Sequence, residues 1–365
     1  MRDLLWPLVT ILSLADATSV FFVDDDDQTL SFPLQGRSVQ QFENDILNIL
    51  GIEDPPESIH HSNVKEIPTR YMKELFHSMQ QSGGSSDSEL ERMMEAGEAE
   101  MVVSLIPKAI SRSSKWDRVS ELEFTVEDSM KRSELLTARL FFLPSLPTSI
   151  HRVAAMEEID GSLKEISSST LPMRGIYQIS LNISSVFMDW QKSSRADLLL
   201  AIETSDARLG EEDWTAFVMA SFEKVPKAQF ERRSSRERRS IESPIKDSPA
   251  QNPFLSKRGR RTACRKHGLY VDFQDMGWKS WVVAPQGYEA HYCSGACSFP
   301  LTSTMNATNH ALVQTLVHMV HRRRASEASC APLTLAPLSV VFFDNKNNIV
   351  LKQYRDMIVQ DCGCQ

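Results

Sequence analysis

The chain has 365 residues, of which 41% are hydrophobic, so it is long enough and apolar enough to bury more than one core. Its net charge of −8 is uneven: from Ser240 onward 14 Lys and Arg stand against 9 Asp and Glu, so the acidic excess belongs to the first 239 residues. All six cysteines lie in the basic part, between Cys264 and Cys364. Opposite charges favour association of the two parts.

The N-terminus has the pattern of a secretory signal peptide. Arg2 precedes an apolar run over residues 4–14, and Ala15 and Ala17 are the small residues that signal peptidase requires. A buried helix of a cytosolic protein is the alternative, but the position at residue 1 favours secretion. No later run has the roughly 18 apolar residues of a membrane helix. We therefore predict that residues 1–17 are removed and that the product is soluble and extracellular, with no membrane span.

Residues 18–239 predict two helices followed by short strands. Apolar residues recur at helical spacing in QQFENDILNILGI, at Phe42, Ile46 and Ile49. A second helix is predicted to begin in IPTRYMKELF, with Pro68 near its first turn. Four later segments have the short apolar runs of a β-sandwich, namely residues 121–129, 134–143, 175–190 and 197–204.

The junction before the first cysteine is rich in Ser, Pro and Arg and lacks apolar periodicity, which predicts an exposed linker. Arg236, Arg238 and Arg239 form an R-x-R-R tetrad that suits the acidic cleft of a subtilisin-like proprotein convertase. We predict cleavage after Arg239, which leaves residues 240–263 as a basic flexible linker on the mature chain; a solvated basic run or a polyanion-binding patch is the alternative. We interpret the weaker tetrad at residues 258–261 as a heparan-sulfate contact.

Six cysteines in a secreted segment of about 100 residues predict three disulfides, for which fifteen pairings are possible. A zinc site is the alternative, since histidines occur among them at positions 267, 291, 310, 318 and 321. The C-x3-C and distant C-x-C spacings differ from usual zinc motifs, and secretion oxidises thiols. We therefore expect no metal.

One pairing would explain the glycines between the clustered cysteines. If Cys293 bonds Cys362 and Cys297 bonds Cys364, the two short segments close a ring of eight residues. Gly295 would then keep the hole open and tolerate a positive φ. The remaining pair, Cys264 with Cys330, would thread the ring as a cystine knot, each bridge contributing about 2–4 kcal/mol.

The cysteine-rich part, residues 264–365, predicts two β-fingers and one helix. Residues 268–273 are expected to pair with 281–284, and residues 338–343 with 348–358 across a DNKNN turn. Leu312, Leu316 and Met319 have helical spacing within residues 309–321. A small knot has no room to bury that apolar helix face by itself.

The same residues resemble a known family. The G-W-x-x-W, A-P-x-G-Y, C-x-G-x-C, N-A-T-N-H-A and C-G-C blocks of residues 264–365 closely resemble the mature ligand of the transforming growth factor-β superfamily, bone morphogenetic protein branch. Residues 18–239 resemble the family's pro-domain more weakly, with the helices near Phe42 and Pro68 in the place of those that clasp the growth factor. The resemblance implies a mainly β fold: a cystine-knot growth factor domain preceded by an α+β pro-domain with N-terminal helices and a β-sandwich.

The resemblance also implies two receptor-binding surfaces. A concave surface for the type I receptor would be formed by Trp278, Trp281, Phe299, Pro300 and Met357. A convex surface for the type II receptor would be formed by Ala284, Ser339, Val340 and Leu351. The alternative for the two tryptophans is that both are core residues.

Ser329 departs from the family pattern, because most members carry a cysteine there that links two chains. The helix face near Leu312 is expected to pack against a second protomer, so we predict a non-covalent homodimer, or a heterodimer with another family ligand. Two N-x-S/T sequons, at Asn182 and Asn306, are expected to carry glycan if exposed.

The function implied is a secreted ligand that assembles type I and type II serine/threonine-kinase receptors and activates Smad signalling. A secreted cystine-knot antagonist of other ligands is the alternative, and a matrix-binding structural module is a third. Further expected partners are the chain's own pro-domain, extracellular antagonists and heparan sulfate. No phosphate loop, G-x-S-x-G or H-E-x-x-H motif is present, so we expect no enzyme, no cofactor and no nucleic-acid partner.

Overall fold

The computed structural model describes residues 19–25, 28–34, 47, 52, 66–81, 89–144, 152–159, 161–170, 178–205, 214–223 and 262–365. The predicted signal peptide, most of the predicted first helix, the cleavage tetrad and the linker up to residue 261 lie outside the described residues. The chain divides into two units, residues 1–54 and 55–365. The first contains the antiparallel strands Ser19–Asp25 (β1) and Gln28–Leu34 (β2).

The second unit contains the other described elements. Its α-helices are Glu66–Gln81 (α1), Glu89–Met93 (α2), Ser184–Lys192 (α3) and Asn309–Val320 (α4). The first nine strands are Ala99–Leu105 (β3), Pro107–Arg112 (β4), Val119–Thr125 (β5), Leu135–Pro144 (β6), Arg152–Ile159 (β7), Ser162–Thr170 (β8), Ile179–Asn182 (β9), Asp197–Thr204 (β10) and Trp214–Glu223 (β11). The C-terminal strands are Arg265–His267 (β12), Tyr270–Asp272 (β13), Val282–Ala284 (β14), Gly287–Glu289 (β15), Tyr292–Ser294 (β16), Cys330–Phe343 (β17) and Ile349–Cys364 (β18). We call residues 66–223 the N-terminal region and residues 262–365 the C-terminal region.

A five-stranded antiparallel sheet lies wholly in the N-terminal region, with strand order β4-β5-β10-β7-β8. Buried side chains alternate along its strands, for example Leu122 and Phe124 in β5 and Leu198 and Leu200 in β10. Because alternate residues of a strand point to the same face, these side chains bury one face of the sheet, as expected for half-buried strands. The strands predicted within residues 121–129, 134–143 and 197–204 are confirmed.

The prediction for residues 175–190 was wrong in part. The segment contains the short strand β9, and the chain then turns into α3. Ile183, Phe187 and Trp190 are all buried and are spaced i, i+4 and i+7, which is the period of a helix. The Asn182 Oδ1 accepts a hydrogen bond of 2.9 Å from the Ser184 backbone N–H and so fixes the turn between the two elements.

A seven-stranded sheet joins the two regions, with strand order β14-β17-β18-β3-β11-β6-β9. At the junction β18 of the C-terminal region pairs antiparallel with β3 of the N-terminal region, in a register that runs from Ile349 opposite Ser104 to Lys352 opposite Met101. Because the backbone groups of both strands are used in this ladder, the sheet is continuous across the boundary.

Helix α1 covers one face of this sheet. Tyr71, Met72, Leu75 and Phe76 are buried, and the spacing of these four residues forms one apolar stripe. Pro68 lies in the first turn, where its missing N–H leaves no hydrogen bond unmade. The predicted helix at this position is therefore confirmed.

The C-terminal region consists of extended fingers and α4. The long second finger is confirmed: β17 and β18 pair from Cys330 opposite Cys364 to Phe343 opposite Ile349, around a turn at residues 344–348. The predicted pairing of residues 268–273 with 281–284 was wrong. Strand β13 pairs instead with β15, and β14 pairs with β17, because a 3-10 turn at Trp278–Ser280 separates the two segments.

Three disulfides close the base of the fingers: Cys264–Cys330, Cys293–Cys362 and Cys297–Cys364. Backbone hydrogen bonds between Ala296 and both Thr262 and Cys264 hold the chain that enters this region alongside the ring segment at residues 293–297. Gly295 has φ +132°, and a Cβ built on it would come within 2.5 Å of the Ala263 carbonyl oxygen. Glycine is therefore required at this point both for the backbone conformation and for space.

Candidate functional site

The surface expected to bind the type II receptor lies largely beneath the N-terminal region. Ala284 and Leu351 both belong to one apolar cluster with Val341 of β17 and with Leu75 of α1. Leu351 is only 2% exposed. The two expected receptor contacts are thus part of a core that the two regions share.

The other two residues expected to contact the type II receptor, Ser339 and Val340, point to opposite faces of β17. Ser339 is half-buried and shares the α1-facing side of β17 with Val341, because alternate residues of a strand point to the same face. Val340 points to the opposite face, together with Phe342. The ring of Phe342 meets Trp281 edge-on, with ring centroids 6.0 Å apart. The four residues therefore do not form a single patch.

Charged groups flank the ladder between β18 and β3. The Arg355 guanidinium lies 3.5 Å from the Glu100 carboxylate, an exposed pair between the two regions. Lys352 is more deeply placed over the Tyr354 ring, 5.1 Å from its centroid. Desolvation lowers the pKa of Lys352, while Glu100 and Glu127 of the N-terminal region act against that shift. Acidic groups of the N-terminal region thus face basic groups of the second finger.

The tip of the second finger is held by Asn348, which is only 1% exposed. Its side-chain Nδ2 donates to the Thr125 carbonyl oxygen at 3.2 Å, and its Oδ1 accepts from the Ile106 N–H at 3.4 Å. The same Nδ2 also donates to Asp344 at 3.0 Å. One side chain therefore connects the fingertip turn to the backbone of two N-terminal segments.

Asp344 organises the turn itself. Its carboxylate accepts hydrogen bonds from the backbone N–H groups of Lys346 and Asn348, at 2.9 and 2.7 Å. Burial raises the pKa of Asp344 to about 6, because desolvation outweighs these hydrogen bonds, and the nearby Glu127 carboxylate raises it further. The turn is thus sensitive to charge and lies against the N-terminal region.

The residues expected to bind the type I receptor are divided between core and surface. Trp278 and Trp281 are only 6% and 4% exposed, and their rings pack 5.4 Å apart, so both are core residues here. Phe273 stacks on Trp278 at 5.9 Å. Phe299, in contrast, is 66% exposed, and Pro300 is exposed beside it, whereas Met357 is half-buried. Of these five residues, Phe299 is thus the aromatic side chain that lies exposed.

Helix α4 presents an uncovered apolar face. The Thr308 hydroxyl caps its N-terminus by accepting from the Ala311 N–H at 3.1 Å. Ala311 and Thr315 are buried, whereas five apolar residues remain exposed: Leu312, Val313, Leu316, Met319 and Val320. Ser329 is also exposed, and its backbone pairs with Gln365 at 2.8 and 2.9 Å. None of the described cysteines is free.

Both sequon asparagines lie at the surface. Asn182 is exposed at the start of the turn into α3. Asn306 is exposed with φ +43°, and its Nδ2 donates to the Cys362 carbonyl oxygen at 3.3 Å. Among the described residues, no helix is long and apolar enough to cross a bilayer.

A cystine-knot finger domain shares one sheet with an N-terminal region of different architecture. This combination is that of a growth-factor precursor. Family comparisons agree with this class: residues 263–364 match the transforming growth factor beta like domain, and residues 27–221 match the TGF-beta propeptide. The chain therefore belongs to the transforming growth factor-β family. This is a family of growth factors rather than of enzymes.

The curated relatives lie in the bone morphogenetic protein branch. The chain is 55% identical to bone morphogenetic protein 8A of Homo sapiens over 104 residues, which cover 28% of this chain and 26% of that protein. It is 40% identical to univin of Strongylocentrotus purpuratus over 141 residues, 39% of this chain and 36% of the relative. It is 51% identical to protein 60A of Drosophila virilis over 114 residues, 31% and 26% of the two chains. The matched part thus spans only about a quarter to a third of these relatives.

Sequence reasoning missed the contacts between the two regions. Nothing local marks Asn348 as a contact to Thr125 and Ile106, because residues 106 and 348 are far apart in sequence and the partners are backbone groups. The amphipathic stripe of α1 was visible, but the stripe does not reveal which strands it covers.

Proposed function

We propose that this chain is the precursor of a secreted signalling ligand. Cleavage after Arg239 separates the N-terminal region, as a pro-domain, from a mature chain that keeps residues 240–263 as its basic arm. The mature chain dimerises without an interchain disulfide through the exposed face of α4. The dimer assembles type I and type II serine/threonine-kinase receptors and thereby activates Smad signalling.

The observation that supports this proposal best is the burial of Ala284 and Leu351 in the cluster shared with α1. Removal of the N-terminal region would uncover an apolar strand surface on a rigid, disulfide-closed scaffold, which is the kind of patch that binds proteins. The pro-domain and a type II receptor would then compete for one surface. Cleavage alone would not activate the ligand, because the ladder and α1 hold the regions together without a covalent bond.

The test measures binding to a panel of type I and type II receptor ectodomains in three samples: an uncleaved Arg239→Ala precursor, the cleaved complex, and the mature chain freed of the N-terminal region. We expect type II binding to increase from the first sample to the third. Equal binding by all three would contradict competition for the shared surface.

A cell assay separates the proposed ligand from other functions. The freed mature chain alone should cause Smad phosphorylation in responsive cells. If the freed mature chain causes no Smad phosphorylation and inhibits the response to an added ligand, it is an antagonist instead. Heparin affinity with no receptor binding would indicate a matrix module.

A further inference from the structure

The turn after α4 carries a dense cluster of positive charge. His321, Arg322, Arg323 and Arg324 follow one another directly, and all four are exposed. The Arg324 N–H donates to the His321 carbonyl oxygen at 2.9 Å, which closes a tight turn. We call residues 321–324 the basic turn. The turn keeps the backbone of the three arginines close together.

The second feature of the basic turn is that the described carboxylates do not neutralise its arginines. Within the part of the chain that the structure describes, none of the three arginines forms an ion pair with a carboxylate. The loop that follows is tied to α4 instead: His318 Nδ1 lies 2.8 Å from the Ala325 carbonyl oxygen, and Gln314 donates to the Ser326 carbonyl oxygen at 3.2 Å. These contacts fix where the turn sits and leave its side chains in solvent.

Stabilisation of the helix end does not account for three arginines. A cation in the last turn of a helix stabilises the helix only modestly, and the effect falls off within that turn. Helix α4 ends at Val320 and already has His318 in its last turn. Neighbouring like charges repel one another even in water. The cluster therefore has an electrostatic cost for the isolated domain, and a bound polyanion would remove that cost.

The geometry points to a sulfated, linear polyanion as the occupant. All four residues of the basic turn are exposed, so the turn suits an extended chain more than an enclosed small anion. Guanidinium groups bind sulfate oxygens through two parallel hydrogen bonds.

We propose that the basic turn is a binding site for sulfated glycosaminoglycan chains. It acts independently of the basic tetrad at residues 258–261, which the sequence already suggested as a heparan-sulfate contact. That such chains are the physiological partner rests on the proposed secretion, but the affinity itself is measurable without it. A failure of receptor activity would therefore leave this inference untouched.

The test uses the secreted full-length chain with Arg239→Ala, so that processing does not alter the sample. Arg322, Arg323 and Arg324 are replaced together by alanine, and binding to immobilised heparin is measured over a range of NaCl concentrations. We expect roughly a 10- to 100-fold loss of affinity near 0.15 M salt, and a salt slope reduced by about two to three, since each ionic contact contributes about one.

Three matched variants make the result specific. Replacement of the same three arginines by lysine keeps the charge and should retain most of the affinity. A Lys266→Ala, Lys279→Ala, Lys346→Ala variant removes equal charge from other exposed sites and should change affinity less than threefold. A variant with alanine for the basic residues of the 258–261 tetrad should lose affinity, and its loss should add to that of the arginine variant.

Defined outcomes would overturn the inference. An unchanged affinity after removal of all three arginines would exclude the site. An equal loss of affinity in the Lys266→Ala, Lys279→Ala, Lys346→Ala control would show that heparin binding depends on net charge and not on the basic turn. Stronger binding to phosphatidylserine vesicles or to a DNA duplex than to heparin would assign the basic turn to another polyanion. If the triple alanine variant is not secreted, Arg323→Glu alone should lower the affinity at least threefold, and no change there counts equally against the site.

Discussion

Asn348 offers a sharp test of how the two regions are held together. Its side chain makes one hydrogen bond to the Thr125 carbonyl oxygen and one to the Ile106 N–H, and both partners are backbone groups of the N-terminal region. Asn348→Ala removes both bonds without changing either partner. In the mature chain alone the same side chain holds only the Asp344 carboxylate, so the substitution should act mainly on the association of the two regions.

The magnitude follows from the two bonds. Each contributes roughly 0.5–1.5 kcal/mol net, and the bond to Ile106, at 3.4 Å, belongs at the weaker end. A total of about 2 kcal/mol corresponds to roughly 30-fold weaker retention of the N-terminal region. Asn348→Asp should cost more at pH 7.4, because it aims a carboxylate at the Thr125 carbonyl oxygen and at Asp344.

The assay uses the cleaved but non-covalent complex, with a specific protease site placed in residues 240–261 if native cleavage is incomplete. Dissociation is followed by size-exclusion chromatography after dilution. Lys346→Ala is the matched control: it lies in the same turn, its side chain is exposed, and only its backbone N–H bonds Asp344. If Asn348→Ala dissociates within twofold of the unsubstituted complex, the fingertip contact does not hold the regions together and the reasoning fails.

Four further outcomes are expected. Arg239→Ala should leave the secreted protein at full precursor size on a gel, and unchanged processing would move the cleavage site elsewhere. Phe299→Ala should weaken type I receptor binding at least tenfold with normal secretion, because the side chain is 66% exposed; unaltered affinity would remove it from that surface. Mature chain should run as a monomer on SDS gels with or without reductant, while Ser329→Cys should give a reductant-sensitive dimer; such a dimer in the unsubstituted protein would contradict the pairing of all six cysteines. Finally, burial raises the pKa of Asp344 from 3.8 to about 6, so its stabilising contribution is fully present below pH 3.8 and is lost as pH rises through 6. Retention of the N-terminal region should therefore weaken over that window, and Asp344→Asn should flatten the pH profile.

Elements with a strong local signal were predictable from the sequence. Helix α4 was visible from Leu312, Leu316 and Met319, and the structure ends it one residue before the predicted boundary. The second finger was visible because a polar turn rich in Asn and Asp separates two apolar strands. The knot followed from two glycines placed between clustered cysteines, since ring closure requires a residue without a Cβ.

Features that depend on distant partners were not predictable. The sequence of β14 does not specify β17 as the neighbouring strand. The predicted pairing of residues 281–284 with residues 268–273 was therefore wrong. Val186, Phe187 and Trp190 of α3 were interpreted as part of a strand, because adjacent apolar residues fit both periods over a short segment. The two tryptophans were expected at the surface, but the stacked rings of Phe273 and Trp278 show that this aromatic cluster fills the finger's own core.

When the two regions separate, the N-terminal region and the C-terminal region lose different contacts from the sheet that they share. On the N-terminal side, loss of β18 would turn β3 into an edge strand with unpaired backbone groups at residues 101–104, and α1 would lose the contacts of its stripe with β17 and β18. On the C-terminal side, the uncovered surface around Leu351 belongs to a scaffold closed by disulfides. A receptor that binds this surface, as proposed, would replace the lost burial on the C-terminal side, whereas the N-terminal region would gain nothing in return. It follows that free N-terminal region should lower the apparent affinity of any receptor that uses this surface, in proportion to the fraction of ligand it still covers.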